Sequence, residues 1–148
     1  MDSALNYALK LISKKDYTEV EIKRKLAIRD VEQSKQAEVI DFLKQKRFLD
    51  DVRFTENYIN MHSSRGDIRI RFELIRKGVE EDVINTALNK IAGEHMVSRA
   101  REFSVGWIEK NQNRAKDRFD LKSKLFAKLS RQGFSYDTIC QATKELLK

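Results

Sequence analysis

RKLAIRDV (24–31), FELIRKGV (72–79) and AKLSRQGF (127–134) can be superposed, and their common form decides the fold. Each places a leucine five residues before a valine or phenylalanine: Leu26 before Val31, Leu74 before Val79, Leu129 before Phe134. Each leucine has an apolar partner four residues earlier, Ile22, Ile70 and Leu125 in turn, which is the spacing of neighbours on one helix face. Gly78 and Gly133 close two of the segments, where a helix ending in the left-handed conformation prefers the residue without a Cβ. The copies are offset by 48 and then 55 residues. The extra residues are expected in the polar stretch EKNQNRAKDRFD (109–120), read as a longer loop with a ragged helix start.

Outward from these segments, apolar spacing of three and four recurs, as in Leu5, Leu9, Ile12 and in Ala100, Phe103, Trp107. The pattern predicts nine helices, near 3–14, 18–29, 34–46, 51–63, 67–77, 80–92, 95–110, 118–132 and 135–147. Thr18-x-x-Glu21 is a capping box, and Asp50, Asp51 and Ser135 are further N-cap candidates. The helices fall into three sets of three, over 1–49, 50–94 and 95–148. Such repetition implies supersecondary units that cannot bury their apolar faces alone and so stack on their neighbours. The expected fold is therefore all-α: three tandem three-helix repeats forming an elongated, curved molecule, better suited to an extended partner than to a small-molecule substrate.

Composition agrees. The 148 residues include no proline and five glycines, a poor supply for the turns of a β fold, and the 41% hydrophobic share is too high for a disordered chain. No apolar run approaches the ~20 residues of a membrane span, and no export signal is visible. A single cysteine, Cys140, cannot form an internal disulfide, so a cytoplasmic location is expected. The net charge is +7, concentrated at the C-terminal end, where residues 96–148 carry 12 basic and 6 acidic side chains. That balance favours encounter with polyanions.

No enzyme constellation is present. The chain lacks GxxxxGK[ST], GxGxxG, HExxH and CxxC, and His62 and His95 have no second ligand at helical spacing, so no cofactor or metal is expected. Cys140, beside Ile139 on the apolar side of the last helix, reads as a small buried hydrophobe. Asp50-Asp51 stands at a predicted helix start, where carboxylates accept backbone hydrogen bonds, and capping is preferred to catalysis there. Basic clusters remain as candidate contacts. RGDIRIRFELIRK (65–77) carries Arg65, Arg69, Arg71, Arg76 and Lys77, with Arg65, Arg69 and Arg76 spaced to share a face; Phe72 among them could stack on a base, but at helical spacing it is expected in the core. The third set offers Arg114, Lys116, Arg118, Lys122, Lys124, Lys128 and Arg131.

Three signatures together resemble a known family: Tyr17-Thr18-x-x-Glu21-Ile22 with Leu26, RFLDDVRFTENYI (47–59), and RIRFELIRKGV (69–79) with LSRQGFSYDTI (129–139). They resemble the RecX family, bacterial regulators of the RecA recombinase, which are built of three tandem three-helix repeats. The family usually has glycine where Asp30 and Arg47 stand. The resemblance implies a non-enzymatic modulator in DNA repair, recombination and the SOS response. It would bind in the groove of the RecA filament on single-stranded DNA, hinder ATPase and strand exchange, and limit filament extension. The basic clusters would meet acidic filament surface or DNA phosphate. The rival reading is a module that binds single- or double-stranded DNA directly, without RecA.

Overall fold

The computed structural model describes residues 2–147. Among them all regular structure is helical: α1 (Ser3–Lys14), α2 (Glu19–Ile28), α3 (Gln33–Gln45), α4 (Asp51–Met61), α5 (Asp67–Arg76), α6 (Glu81–Asn89), α7 (Glu94–Asn111), α8 (Arg118–Arg131) and α9 (Tyr136–Thr143). Each lies where the apolar spacing predicts one. α6 and α9 end earlier than expected, because their last turns tighten into three-residue hydrogen bonds, Lys90 and Ile91 to Ala87 and Leu88, and Leu146 to Thr143. In the polar 109–120 stretch α7 continues to Asn111, a 3-10 turn covers Gln112–Arg114, and α8 starts where Asp117 accepts the Asp120 amide at 2.8 Å. No helix among the described residues is long and apolar enough to cross a membrane.

The caps explain the boundaries. Thr18 Oγ1 accepts the Glu21 amide at 3.1 Å while Glu21 Oε1 accepts the Thr18 amide at 3.0 Å, a closed capping box. Ser135 and Asp50 accept amides at the starts of α9 and α4. At their far ends, α2, α3, α5 and α8 share one device. A residue in the left-handed conformation, Asp30, Arg47, Gly78 or Gly133, follows the helix with φ of 61°, 61°, 87° and 93°. The next amide then reaches back five residues, from Val31, Phe48, Val79 and Phe134 to the carbonyls of Leu26, Leu43, Leu74 and Leu129. The leucine-to-valine/phenylalanine spacing in the sequence is thus the closing hydrogen bond of a helix cap. Ile22, Leu26, Ile70, Leu74, Leu125 and Leu129 are all 0% exposed, so each middle helix is the hub of its set.

The chain divides into two compact units, Met1–Tyr58 with Leu74–Asn85, and Ile59–Glu73 with Thr86–Lys148. The first is built on a core that includes Ala8, Ile22, Leu26, Val39 and Leu43. The second is built on one that includes Ala100, Leu121, Leu125, Leu129, Phe134 and Ile139. Each unit contains one junction between successive three-helix sets, and the two junctions are made alike. In the first, Thr18 Oγ1 donates to the Lys77 carbonyl at 2.6 Å, Arg24 donates to the Arg76 carbonyl at 3.2 Å, and Gly78 lies against Val20. In the second, the Gly66 amide donates to the Gln132 carbonyl at 2.7 Å, the Ile68 amide to the Gly133 carbonyl at 3.0 Å, and Gly133 lies against Arg69.

A Cβ on Gly133 would stand 2.3 Å from Arg69 Cβ and 2.5 Å from its backbone nitrogen, and one on Gly78 would stand 2.3 Å from Val20 Cβ. Asp30 and Arg47 are exposed and meet no such wall. Gly133→Ala therefore combines left-handed strain of ~1–2 kcal/mol with a backbone clash and is expected to lower the urea midpoint steeply. Arg47→Gly relieves strain without touching a neighbour and is expected to stabilise by about 0.5–1 kcal/mol in the same measurement.

Candidate functional site

The cluster at 65–77 is largely spent within the protein. Arg65 precedes α5, and its Nη1 lies 3.0 Å from Glu73 Oε1; Arg69 on α5 places Nε 3.3 Å from Glu73 Oε2. One carboxylate thus gathers both guanidinium groups, and Arg69 also donates from Nη1 to Gln132 Oε1 at 3.2 Å. Gln132 in turn donates to the Ser64 carbonyl at 2.9 Å. Lys77 sits 3.4 Å from Glu21 Oε2 and 5.8 Å over the Tyr58 ring. Arg69 and Lys77 thus brace the junctions described above, and Arg65 shares Glu73 with Arg69. Arg71 is half-buried and Arg76 exposed on α5. Phe72 corrects its expected place in the core: it is 61% exposed, because the Ile70–Leu74 stripe takes the buried face and leaves Phe72 on its outer side.

The third set distributes its cations differently. Arg114 lies in the 3-10 turn, Lys116 in the loop, and Arg118 opens α8, all exposed. Asp120 accepts the Lys116 amide at 3.0 Å and lies 3.1 Å from Lys124 Nζ, and these two contacts hold its carboxyl below the ordinary carboxylate range. The buried stripe Leu121, Leu125, Leu129 fixes the rotation of α8. Helical spacing then puts Lys124, Lys128 and Arg131 on one flank of that stripe and Phe119, Lys122 and Phe126 on the other. Lys128 is half-buried, and the other cations of both flanks are exposed.

Arg99, which carries no local sequence signal, has a role that spacing cannot reveal. Its half-buried guanidinium turns Nη2 to the carbonyls of His62, Arg65 and Ile59 at 2.9, 3.1 and 3.3 Å, closing the C-terminal end of α4 with a positive charge. Burial pushes its pKa down, though a guanidinium stays protonated.

The acidic pair acts as two caps. Asp50 Oδ1 accepts the Val52 and Arg53 amides at 3.0 and 3.2 Å at the start of α4, and Asp51 Oδ1 accepts the Glu19 amide at 3.1 Å at the start of α2. Arg53 turns away to the Arg47 carbonyl at 3.1 Å. Asp51 borders a cleft of about 690 Å³ in the first unit, beside Glu19, Lys44, Glu80 and Val83. Burial raises its pKa, more than the Glu19 amide lowers it. No group of three or more His, Cys, Asp or Glu side chains among the described residues could hold a metal ion. Cys140 is half-buried rather than enclosed.

Two family models match, the first RecX three-helix domain over residues 4–43 and the second over residues 50–88. Regulatory protein RecX of Clostridium acetobutylicum is 31% identical over 146 residues, covering 97% of this chain and 68% of that relative. The chain belongs to the RecX family. RecX of Clostridium perfringens is 33% identical over 89% of the chain and 63% of its own length, so the chain spans about two thirds of these clostridial relatives. RecX of Chlorobium limicola is 29% identical over 99% of the chain and 91% of its own length. The crystal structure of RecX from Lactobacillus salivarius superposes with a TM-score of 0.83 at 23% identity over 97% of this chain and 94% of that one. A second, titled regulatory protein RecX, gives 0.82 at 22% identity over 96% and 72%. At these identities the two structures establish the shared RecX fold. Asp30 and Arg47 hold the left-handed geometry that glycine adopts most readily.

Arg99→Met keeps the length of the side chain and removes its donors. It is expected to destabilise the second unit by about 2–3 kcal/mol, the range for a hydrogen-bonded charge, with Arg99→Lys recovering less than half, read from urea unfolding. Asp51 has a raised folded pKa, so its ionised form opposes folding at neutral pH and that opposition fades as pH falls through the folded value. Asp51→Asn keeps an acceptor for the Glu19 amide and is expected to match or exceed the parent's melting temperature at pH 7. The two proteins should converge as the pH is lowered toward the ordinary carboxylate range.

Proposed function

We propose that this RecX-family chain binds the RecA filament on single-stranded DNA, hinders its ATPase and strand exchange, and limits filament extension. The observation that carries this reading is the match to regulatory proteins RecX across nearly the whole chain, including both family-model domains. The repeated junctions support it physically. Repeated three-helix sets offer several separate helix faces, which suits a partner that itself repeats, as a filament does. A protein that prefers one relative geometry of neighbouring RecA protomers shifts the filament toward that state by linkage, with no chemistry of its own.

Within this reading, Arg65, Arg69 and Lys77 act as positioning residues, since their charges are bound to Glu73, Gln132 and Glu21. The contacts to filament or DNA are assigned to Arg71 and Arg76 on α5, to Arg114, Lys116 and Arg118, and above all to the Lys124–Lys128–Arg131 flank of α8. Asp120 engages Lys124 on that flank, and Lys128 and Arg131 supply the charge complementarity that would speed encounter with an acidic filament surface.

The test is the single-stranded-DNA-dependent ATPase of RecA, titrated with this protein at fixed moderate salt. Inhibition is expected at concentrations where the protein alone leaves the same DNA free. Reversing charge at Lys128 and Arg131 together should raise the half-inhibitory concentration on the order of tenfold while circular dichroism stays unchanged. An ATPase indifferent to the parent protein would overturn the reading.

A further inference from the structure

The other flank of α8 has a different character. Phe119 is 79% exposed and Tyr136, at the start of α9, is 69% exposed, the two most open aromatic rings among the described residues. Phe119, Lys122 and Phe126 follow one another at three and four residues, a ring, a cation and a ring on one stripe. The stripe leads to Tyr136, whose ring centroid lies 5.4 Å from that of Phe126 with the planes tilted by 58°. Between α8 and α9, Lys122, Phe126 and Tyr136 border a cleft of about 470 Å³, lined also by Cys140, Gln141, Thr143 and Lys144, and Phe119 continues the stripe outside that lining. That volume falls in the ~300–1,000 Å³ range of ligand clefts. Lys122 and Lys144 are exposed at its edges, with Asp120, Asp137 and Glu145 the nearest acids in sequence.

We propose that this α8–α9 cleft, together with the exposed Phe119 ring on the same stripe of α8, is a stacking platform for single-stranded DNA. Open aromatic faces flanked by cations match the chemistry of an unpaired strand, whose bases present π-faces and whose phosphates present charge. A duplex hides its base faces within the stack, so the exposed rings would gain nothing from it. An acidic peptide would use the lysines and leave the rings idle. Gln141, whose amide both donates and accepts, does not by itself distinguish ribose from deoxyribose; the choice of DNA over RNA rests on the filament reading above. The surrounding balance of 12 basic to 6 acidic side chains over residues 96–148 complements a polyanion.

The experiment measures anisotropy of a labelled short oligothymidylate with the whole protein and no RecA. Phe119→Ala and Tyr136→Ala each remove an exposed ring, so folding should persist, as circular dichroism would verify. Each is expected to weaken oligothymidylate binding roughly 5- to 100-fold, by the usual contribution of one stacked base. Binding to an abasic strand or a duplex of equal length should not change. Lys122→Ala should weaken all three ligands and reduce the salt slope by about one. The proposal is overturned if the parent protein fails to bind oligothymidylate at low salt, or if the ring variants bind it as the parent does. It is equally overturned if they lose the abasic strand to the same extent, or if the parent prefers oligouridylate. Because RecA is absent, these outcomes are independent of the ATPase titration. Ring-dependent strand binding alongside an ATPase indifferent to the parent protein would sink only the filament reading.

Discussion

Within each compact unit, a carbonyl left over at the end of a helix joins one three-helix set to the next. When a middle helix closes through a left-handed residue, the cap bonds use the carbonyls two and three residues inside the end, and those at the terminus itself are left without an intrahelical donor. At Lys77 and Gln132 that terminal carbonyl accepts a donor from the preceding three-helix set, the Thr18 hydroxyl in one case and the Gly66 amide in the other. Ending the helix and joining the sets are therefore one event. A carbonyl buried at the junction without that donor would carry a desolvation penalty comparable to a lost hydrogen bond, so the junction is fixed in register as well as in contact.

The same event sorts the glycines. Left-handed backbone alone does not demand glycine here, since Asp30 and Arg47 adopt φ of 61° with their side chains in solvent. Gly78 and Gly133 differ because a second chain segment, at Val20 or Arg69, occupies the place of the missing Cβ. Gly66 completes the second junction without positive φ: a Cβ there would lie 2.4 Å from the backbone of Gly133. A side chain in left-handed geometry is tolerable at a cap exposed to solvent and intolerable at one that carries a junction.

This division also explains what could be read from the sequence. Helices, caps and the buried Ile–Leu pairs follow from spacings of three to five residues, so the nine elements and their threefold repetition were legible. The functions of individual charges depend on partners far along the chain: Arg69 on Gln132, 63 residues away, Gln132 on Ser64, 68 away, and Arg99 on His62, 37 away. A cation at a junction and one in solvent look identical in a local window. Glu73, four residues after Arg69, was the one visible hint that this arginine is internally engaged. Phe72 fails for the complementary reason, because apolar identity was allowed to stand for burial on a helix whose buried stripe was already filled by Ile70 and Leu74.

The rotation of α8 has a consequence for how surfaces on one helix relate. Leu121, Leu125 and Leu129 are held in the core, so the helix cannot turn to exchange its flanks, and the lysine–arginine stripe and the ring–lysine–ring stripe face different directions. The two would respond to different variables. Charge-only contacts weaken as salt restores counterions to the partner, whereas stacking on Phe119 and Tyr136 has little dependence on ionic strength. A rise in salt that strips the Lys124–Lys128–Arg131 flank would thus leave a residual, ring-dependent affinity for an unpaired strand. Two surfaces with different salt responses on one rigid helix allow a filament contact and a strand contact to be separated experimentally without disturbing the fold that positions both.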